Sequence, residues 1–287
     1  MSQVSRFLSS RWNDLRLIAS TTTGKAGLVL TLFFLLMAAL APFLSPYSPN
    51  VSSGPAYAVP SWAHPLGTDD IGEDLLSQLI WGSRGSLLIG ISAGFLSTLL
   101  GVTVGLTAGY YAARTGEALM RLTDVMLVLP LLPFLIVVAA IFPSSVLLVI
   151  VVIGLLSWPW TARVIRSQTL TLKTRPFVDA SILSGMSDLG IMFRVLLPNM
   201  MALVILYGVF SAVTAVVVEA GLDFIGLGSI TNLSWGIMLF FSLSRNAMIR
   251  GLWWWFLAPG LMIALLGTGF ILLGYGIEET YKLRVQQ

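Results

Sequence analysis

The stretch FVDASILSGMSDLGIMFRVLLPN, residues 177–199, is polar and broken by glycine and proline, in a 287-residue chain that is 56% hydrophobic and 10% charged. Charged residues make up about a quarter of an ordinary soluble chain, so this one cannot be kept in water by its surface. Several runs approach the roughly 20 apolar residues that a helix needs to cross a hydrocarbon core. The chain reads as an all-α polytopic membrane protein with one domain in the lipid. The quoted stretch lies between two such runs and is patterned as a structured element outside the membrane.

Its boundaries follow from local chemistry. The apolar run before it leaves the lipid through Trp158, Pro159 and Trp160, and Arg163, Arg166 and Lys173 suit a helix that continues beside anionic headgroups. Pro176 forces the residue before it out of the α region and fits an early position of a new helix. Gly185 suits the left-handed conformation that ends a helix. Ser187 can cap the next helix, with Asp188 at its positive end, and Pro198 closes the element. The reading is helix, glycine break, helix. It is either a solvated amphipathic loop or a rigid docking element for a cytosolic partner, and long structured loops tend to be functional.

Outward from this stretch, six spans are expected, at about 26–44, 86–110, 120–142, 145–161, 200–219 and 252–277, matched to the length a membrane demands. Lys and Arg set their direction. Arg6, Arg11, Arg16 and Lys25, then Arg114 and Arg121, then the five of the 161–199 loop, then Lys282 and Arg284 fall on one side. Arg84, Arg245 and Arg250 fall on the other. Both termini and the 161–199 loop are therefore expected in the cytoplasm. The division is a 1–25 tail, a first helix and external loop (26–85), a core (86–277) and a 278–287 tail. The pI near 9.4 reflects this topology rather than a nucleic-acid partner.

Within the spans, Gly90, Gly94, Gly101, Gly105 and Gly109 give one helix a small face for close packing, and Pro130 and Pro133 should kink the third span. Asp124 follows Arg121 at a spacing that lets the two pair on a helix. Outside, residues 45–85 are proline-rich and acidic at their far end. Pro65, Gly67 and Gly72 are expected to build turns there, with Thr68 or Asp69 capping an Asp70–Ile80 helix and His64 serving as a loop hydrogen-bonding residue. Residues 220–251 are expected to start glycine-rich and continue polar. Trp253–Trp255 reads as an interfacial aromatic anchor.

Catalytic chemistry finds no residues here. There is no cysteine and one histidine, so thiolate metal sites and histidine clusters are excluded. Gly24-Lys25 is followed by Ala26, so there is no P-loop. The carboxylates within or at the edge of spans are Asp124 and Glu219. Ion-coupled transport is usually marked by intramembrane ionisable groups, so energy for any transport should arrive from outside the chain. A stand-alone channel or secondary transporter is the reading from a different class.

The 179–198 segment resembles the coupling-loop motif of ABC-importer permeases: glutamate-alanine-alanine, three residues, glycine, nine residues, isoleucine, one residue, leucine-proline. Asp179, Ala180 and Ser181 stand at the first three positions, Gly185 at the glycine, Val195 at the isoleucine, and Leu197 with Pro198 at the close. HPLGTDDIGEDLLSQLIWGSRGSL, residues 64–87, is similar to the external-loop signature of the dipeptide/oligopeptide/nickel permease family, through His64, Pro65, Leu66, Gly67, Thr68, Asp69, Gly72 and Asp74. EAGLDFIGLG, residues 219–228, resembles that family's sequence after the fifth span, through Glu219, Ala220, Gly226 and Gly228. The C-type subunit fits best. Glu73 and Gln78 stand where members often carry arginine, and Asp223 where serine is usual. These departures are expected to alter the external surface charge.

The resemblance implies six transmembrane helices of the type I importer permease fold, with a cytoplasmic coupling-helix loop and an extended external loop. It implies a second homologous permease, two ABC ATPase subunits that carry the ATP and magnesium, and an extracytoplasmic solute-binding protein, in a prokaryotic inner membrane. The chain itself would bind no cofactor and catalyse nothing. The solute it implies is peptide, with oligosaccharides and chelated nickel as alternatives within the family.

Overall fold

The computed structural model describes residues 21–142, 145–229 and 231–285. Arg6, Arg11, Arg16 and the middle of the 142–145 turn lie outside these residues, as do the side chains of Lys282 and Arg284. Helix α1 (Thr22–Ala39) starts behind Thr21, whose hydroxyl accepts the Gly24 N–H at 3.1 Å, and is followed by the single turn α2 (Ala41–Leu44).

Helix α3 (Leu75–Tyr110) is unbroken over 36 residues and starts well before the expected 86. No separate Asp70–Ile80 helix forms, and neither Thr68 nor Asp69 is its cap. The Asp69 carboxylate accepts the N–H groups of Ile71 and Glu73, at 3.0 and 2.8 Å, and holds residues 69–73 as a turn. Helix can begin only beyond it, where Asp74 accepts the Ser77 N–H at 2.8 Å.

The third span is two helices, α4 (Arg114–Val128) and α5 (Leu131–Ile141), bent by 79°. Pro130 drives Leu129 into an extended conformation, so the expected kink is a full break. Helix α6 (Val146–Lys173) carries the fourth span out past Arg163 and Arg166 with Pro159 inside it. After α7 (Pro176–Leu183), α8 opens at Asp188–Gly190, widens to π geometry over Ile191–Leu196 and closes with Leu197–Asn199. Pro198 has no N–H for the Arg194 carbonyl and its ring crowds that oxygen, which the wider turn relieves. Helices α9 (Met201–Phe224), α10 (Trp235–Ser244) and α11 (Trp253–Val285) complete the chain. Among the described residues, α1, α3, α6, α9 and α11 are long and apolar enough to cross a membrane, and α4 with α5 makes a sixth crossing if the bent pair is one span.

Between helices in lipid there is no hydrophobic drive, so association relies on close packing of small residues. The glycine face of α3 serves this with two partners. Gly101, Gly105 and Gly109 lie on Thr161, Ala162 and Thr169 of α6, and Gly90 and Gly94 on Val216 and Ala212 of α9. A methyl at Gly105 would sit 2.5 Å from the Ala162 carbonyl, and one at Gly94 2.6 Å from the Ala212 nitrogen. Helices α1 and α11 meet the same way, with Gly27 against the Leu273 backbone.

The tryptophan run does not act as one anchor. Trp253 is 55% exposed, but Trp255 is 2% exposed and packs with Phe34 and Trp235 in the core. Successive helical residues point about 100° apart, so three in a row cannot share a face. Asp124 pairs with Arg163 of α6, Nη2 to Oδ1 at 2.6 Å, rather than with Arg121.

Candidate functional site

The residues singled out in the sequence gather at two ends of the helix bundle. At one end, α7 begins with Pro176 in its first turn after an extended Arg175. It ends in a Schellman motif: the Met186 N–H bonds the Ser181 carbonyl at 3.2 Å and the Gly185 N–H bonds Ile182 at 2.9 Å. Gly185 has φ +77°, which glycine adopts without strain. Ser187 then accepts the Gly190 N–H at 3.3 Å as the cap of α8.

One face of this element is fixed to the bundle. Val178, Ile191 and Leu196 are fully buried with Val102, Leu106 and Ile165, and Val195 and Leu197 pack beside them. The Tyr110 hydroxyl donates to Asp188 at 2.8 Å, and the Lys173 ammonium donates to the Tyr110 carbonyl at 2.6 Å. The other face is bare: Asp179, Ala180, Gly185 and Pro198 are exposed. So are the apolar Ile182 and Leu189, and Leu183 is 87% exposed.

At the other end, the 45–74 loop is a folded cap. His64 is buried with its Nδ1 2.9 Å from Asp74 Oδ1, while the second Asp74 oxygen accepts from Ser77. Thr68 accepts the Ala58 N–H at 2.9 Å and donates to the Pro55 carbonyl. Gly67 and Gly72, at φ +73° and +84°, lie against the Ala58 and Gly54 carbonyls, where a methyl would come within 2.2 Å. Leu66 packs against the core, and Pro65 is exposed.

Gln78 donates to both Asp69 and Glu73 at 2.8 Å. Burial pushes the Glu73 carboxyl above its ordinary range, and the Asp69 carboxylate adds to this. Gln78 is thus an internal tie and not the surface-charge change expected of it. Asp70 joins the second external segment through Arg245 at 3.0 Å, and the Arg250 guanidinium stacks 4.5 Å over the Tyr57 ring.

The motif after the fifth span lies beneath this cap. Glu219 is 0% exposed and Asp223, one turn on, 4% exposed, so Asp223 leaves the surface charge unaltered. The Ser234 hydroxyl donates to Asp223 and accepts the Ile237 N–H at 3.2 Å, capping α10. Gly228 packs directly on the Asp223 carboxylate, and Ala220 packs under Gly236. Gly226 (φ +81°) ends α9 with a second Schellman pair. The Trp235 indole donates to the Leu79 carbonyl at 2.9 Å. The sequence reading missed α10 and Trp235, taking 220–251 to be polar after its start. The signal was there in Ser234, followed by the apolar run WGIMLFF.

The sequence profile of the family described as "Binding-protein-dependent transport system inner membrane component" matches residues 101–282, from inside α3 through both glycine-ended junctions. The chain belongs to that family. The profile for the "N-terminal TM domain of oligopeptide transport permease C" matches residues 21–62, which makes it a C-type permease of an ABC importer. It is similar to a di/tripeptide transport system permease protein of Pseudomonas aeruginosa, 36% identical over 88% of this chain and 85% of the relative. It also resembles a protein named as a peptide permease in Brucella suis, 35% identical over 91% of this chain and 86% of the other. Family membership makes this permease a multi-pass, non-catalytic transport subunit.

Proposed function

We propose that this permease forms half of the path for short peptides in an ATP-driven importer. A second permease lies beside it, two ATPase subunits meet the α7–α8 element, and a solute-binding protein docks over the external cap. Peptide as the solute follows the names of the relatives. The charges give the orientation. Arg163, Arg166, Lys173, Arg175 and Arg194 lie toward α7–α8, and Arg84, Arg245 and Arg250 toward the cap. By the positive-inside rule both tails, 1–25 and 278–287, are in the cytoplasm of a prokaryotic inner membrane.

The observation that carries the coupling role is the apolar face of Ile182, Leu183 and Leu189 on an element outside the expected spans. Apolar surface that faces neither core nor lipid marks a partner site. Asp179, Ala180, Ser181 and Gly185 frame the patch, and Val195, Leu197 and Pro198 set α8 beneath it. Because the buried face is packed on α3 and α6, a partner that moves the patch moves those helices with it. His64 to Asp74 keep the external cap in shape for the binding protein, and Trp62 stands fully exposed on its surface.

Reconstitution tests the reading. Proteoliposomes carrying both permeases, the ATPase pair and the binding protein should take up dipeptide in an ATP-dependent manner. Robust flux through this chain alone would overturn the reading in favour of a self-sufficient channel or carrier.

A further inference from the structure

The break in the third span is a chemical problem placed within an apolar segment. A helix that ends leaves its last carbonyls without intrahelical donors, and one that begins leaves its first N–H groups without acceptors. Leu129 is extended, no side chain caps the start of α5 at Pro130, and Pro130 has no N–H to offer. Irregular backbone at membrane depth is tolerated only inside protein or along a water-filled space.

The break opens onto such a space. A cavity of 380 Å³ is bounded by Leu129 and Leu131 at the break, Trp160 of α6 and Phe210 of α9. This is within the range of about 300–1,000 Å³ usual for small-molecule sites. Five hydroxyl side chains line it: Ser157 and Thr161 from α6, and Tyr207, Ser211 and Thr214 from α9. Their spacings of four, and of four then three, put each set on one face of its helix. The opposite face of α9 is apolar by contrast, with Ile205 exposed half a turn from Thr214, and α6 is alike at Leu155. The accessible part of the lining is on α9, since the Ser157 oxygen is sealed below the surface and Thr161 is packed on Gly101 of α3. No charged residue lines the cavity. Thr214 donates to the Phe210 carbonyl at 3.0 Å, but lipid in this place would leave Tyr207, Ser211 and the open backbone without hydrogen-bond partners, whereas water or a polar solute satisfies them.

We infer that this cavity is the permease's share of the solute path, a hydrated and uncharged station that takes the amide groups of a short peptide. Hydroxyls and the open backbone of the break supply hydrogen bonds of both senses, and Trp160, Tyr207 and Phe210 supply apolar walls. Without a fixed charge, the station accepts acidic and basic side chains alike and leaves their selection to other parts of the system. The peptide rests on the importer reading above; the water does not.

The chain has no cysteine, so single cysteines report without background. In the membrane-embedded complex, Ser211→Cys and Thr214→Cys are expected to react with a charged, lipid-impermeant methanethiosulfonate reagent, and Ile205→Cys on the opposite face is not. Cavity cysteines that stay unreacted until the protein is unfolded in detergent would overturn the hydrated station. For the ligand, Thr214→Asp sets one negative charge in the path, and Ser157→Asp repeats the test from α6. Uptake of dilysine relative to diglutamate should rise in either variant. An unchanged ratio in variants that still transport both peptides would overturn the assignment of the cavity to the path. An unmodified complex that imports neither peptide, yet whose cavity cysteines react, would refute the peptide reading and its amide station while upholding the water.

Discussion

Gly185 and Gly226 end their helices with the same two hydrogen bonds and nearly the same backbone angle, yet they sit in opposite surroundings. Around Gly185 nothing lies within 4 Å of where a side chain would begin, whereas at Gly226 the Phe240 ring would stand 2.7 Å away. The first junction belongs to an element with one face packed and one bare. The second is closed in by α10 and its ring. One local device thus ends a helix equally well at a bare face and at a packed joint. What separates them is packing, and packing can be perturbed at each site.

The largest expected effect is at the closed joint. Gly226→Val combines left-handed strain of about 1–2 kcal/mol with overpacking against Phe240 of about 1–3 kcal/mol. The amount of folded permease recovered from membranes and its midpoint of thermal unfolding should both fall sharply. Next comes the bare face. On the proposed coupling role, Leu183→Glu presses an unpaired carboxylate into an apolar contact, at a cost of about 2 kcal/mol or more. The chain should reach the membrane normally while its ATPase subunits co-purify poorly and uptake fails.

Gly185→Ala is smaller again. It meets no neighbour and carries only the backbone strain, about 1–2 kcal/mol, so thermal stability should drop modestly and uptake should be retained in part. Should Gly185→Ala prove as damaging as Gly226→Val, the contrast between bare and packed junctions would be broken.

The smallest effect concerns the external cap. The folded protein holds the Glu73 carboxyl above its ordinary pKa, so ionising it opposes folding. The protonated form is favoured at acid pH, and that stability is lost as pH rises through the folded pKa. Glu73→Gln should therefore raise the unfolding midpoint slightly at neutral pH, with the gain shrinking as the solution is acidified through that pKa. A gain independent of pH would point to packing instead.

The α7–α8 junction was legible because each of its signals is local. Proline at a first turn, glycine at a stop and serine at a cap act within three or four residues. The same locality explains the break at Pro130. The start of α3 was not legible, because Asp69 folds back on residues 71 and 73 and takes up the backbone groups a helix would need. Helix α10 carried a local signal in Ser234 and its apolar run, but the tie that seats it, from Trp235 to the Leu79 carbonyl of α3, spans 156 residues and has no trace in the sequence. Asp124 shows the same limit: Arg121 was the neighbour in sequence, and Arg163, on another helix, is the neighbour in space. Glu219 and Asp223 were visible as an i, i+4 pair, but their enclosure depends on Gly228 and Ser234 folding over them.

Helix α3 runs between the 45–74 cap and the α7–α8 element. Its N-terminal cap, Asp74, holds His64 in the 45–74 loop, and its last residue, Tyr110, holds Asp188 of α8. At 1.5 Å per residue its 36 residues make a rod of about 54 Å. Such a rod behaves as a lever: a tilt of about 5° about one end carries the other through about 5 Å, close to the pitch of one helical turn. The two ends of the bundle are thereby tied to one helix. Displacement at the Tyr110 end would reach the 45–74 cap through one unbroken helix.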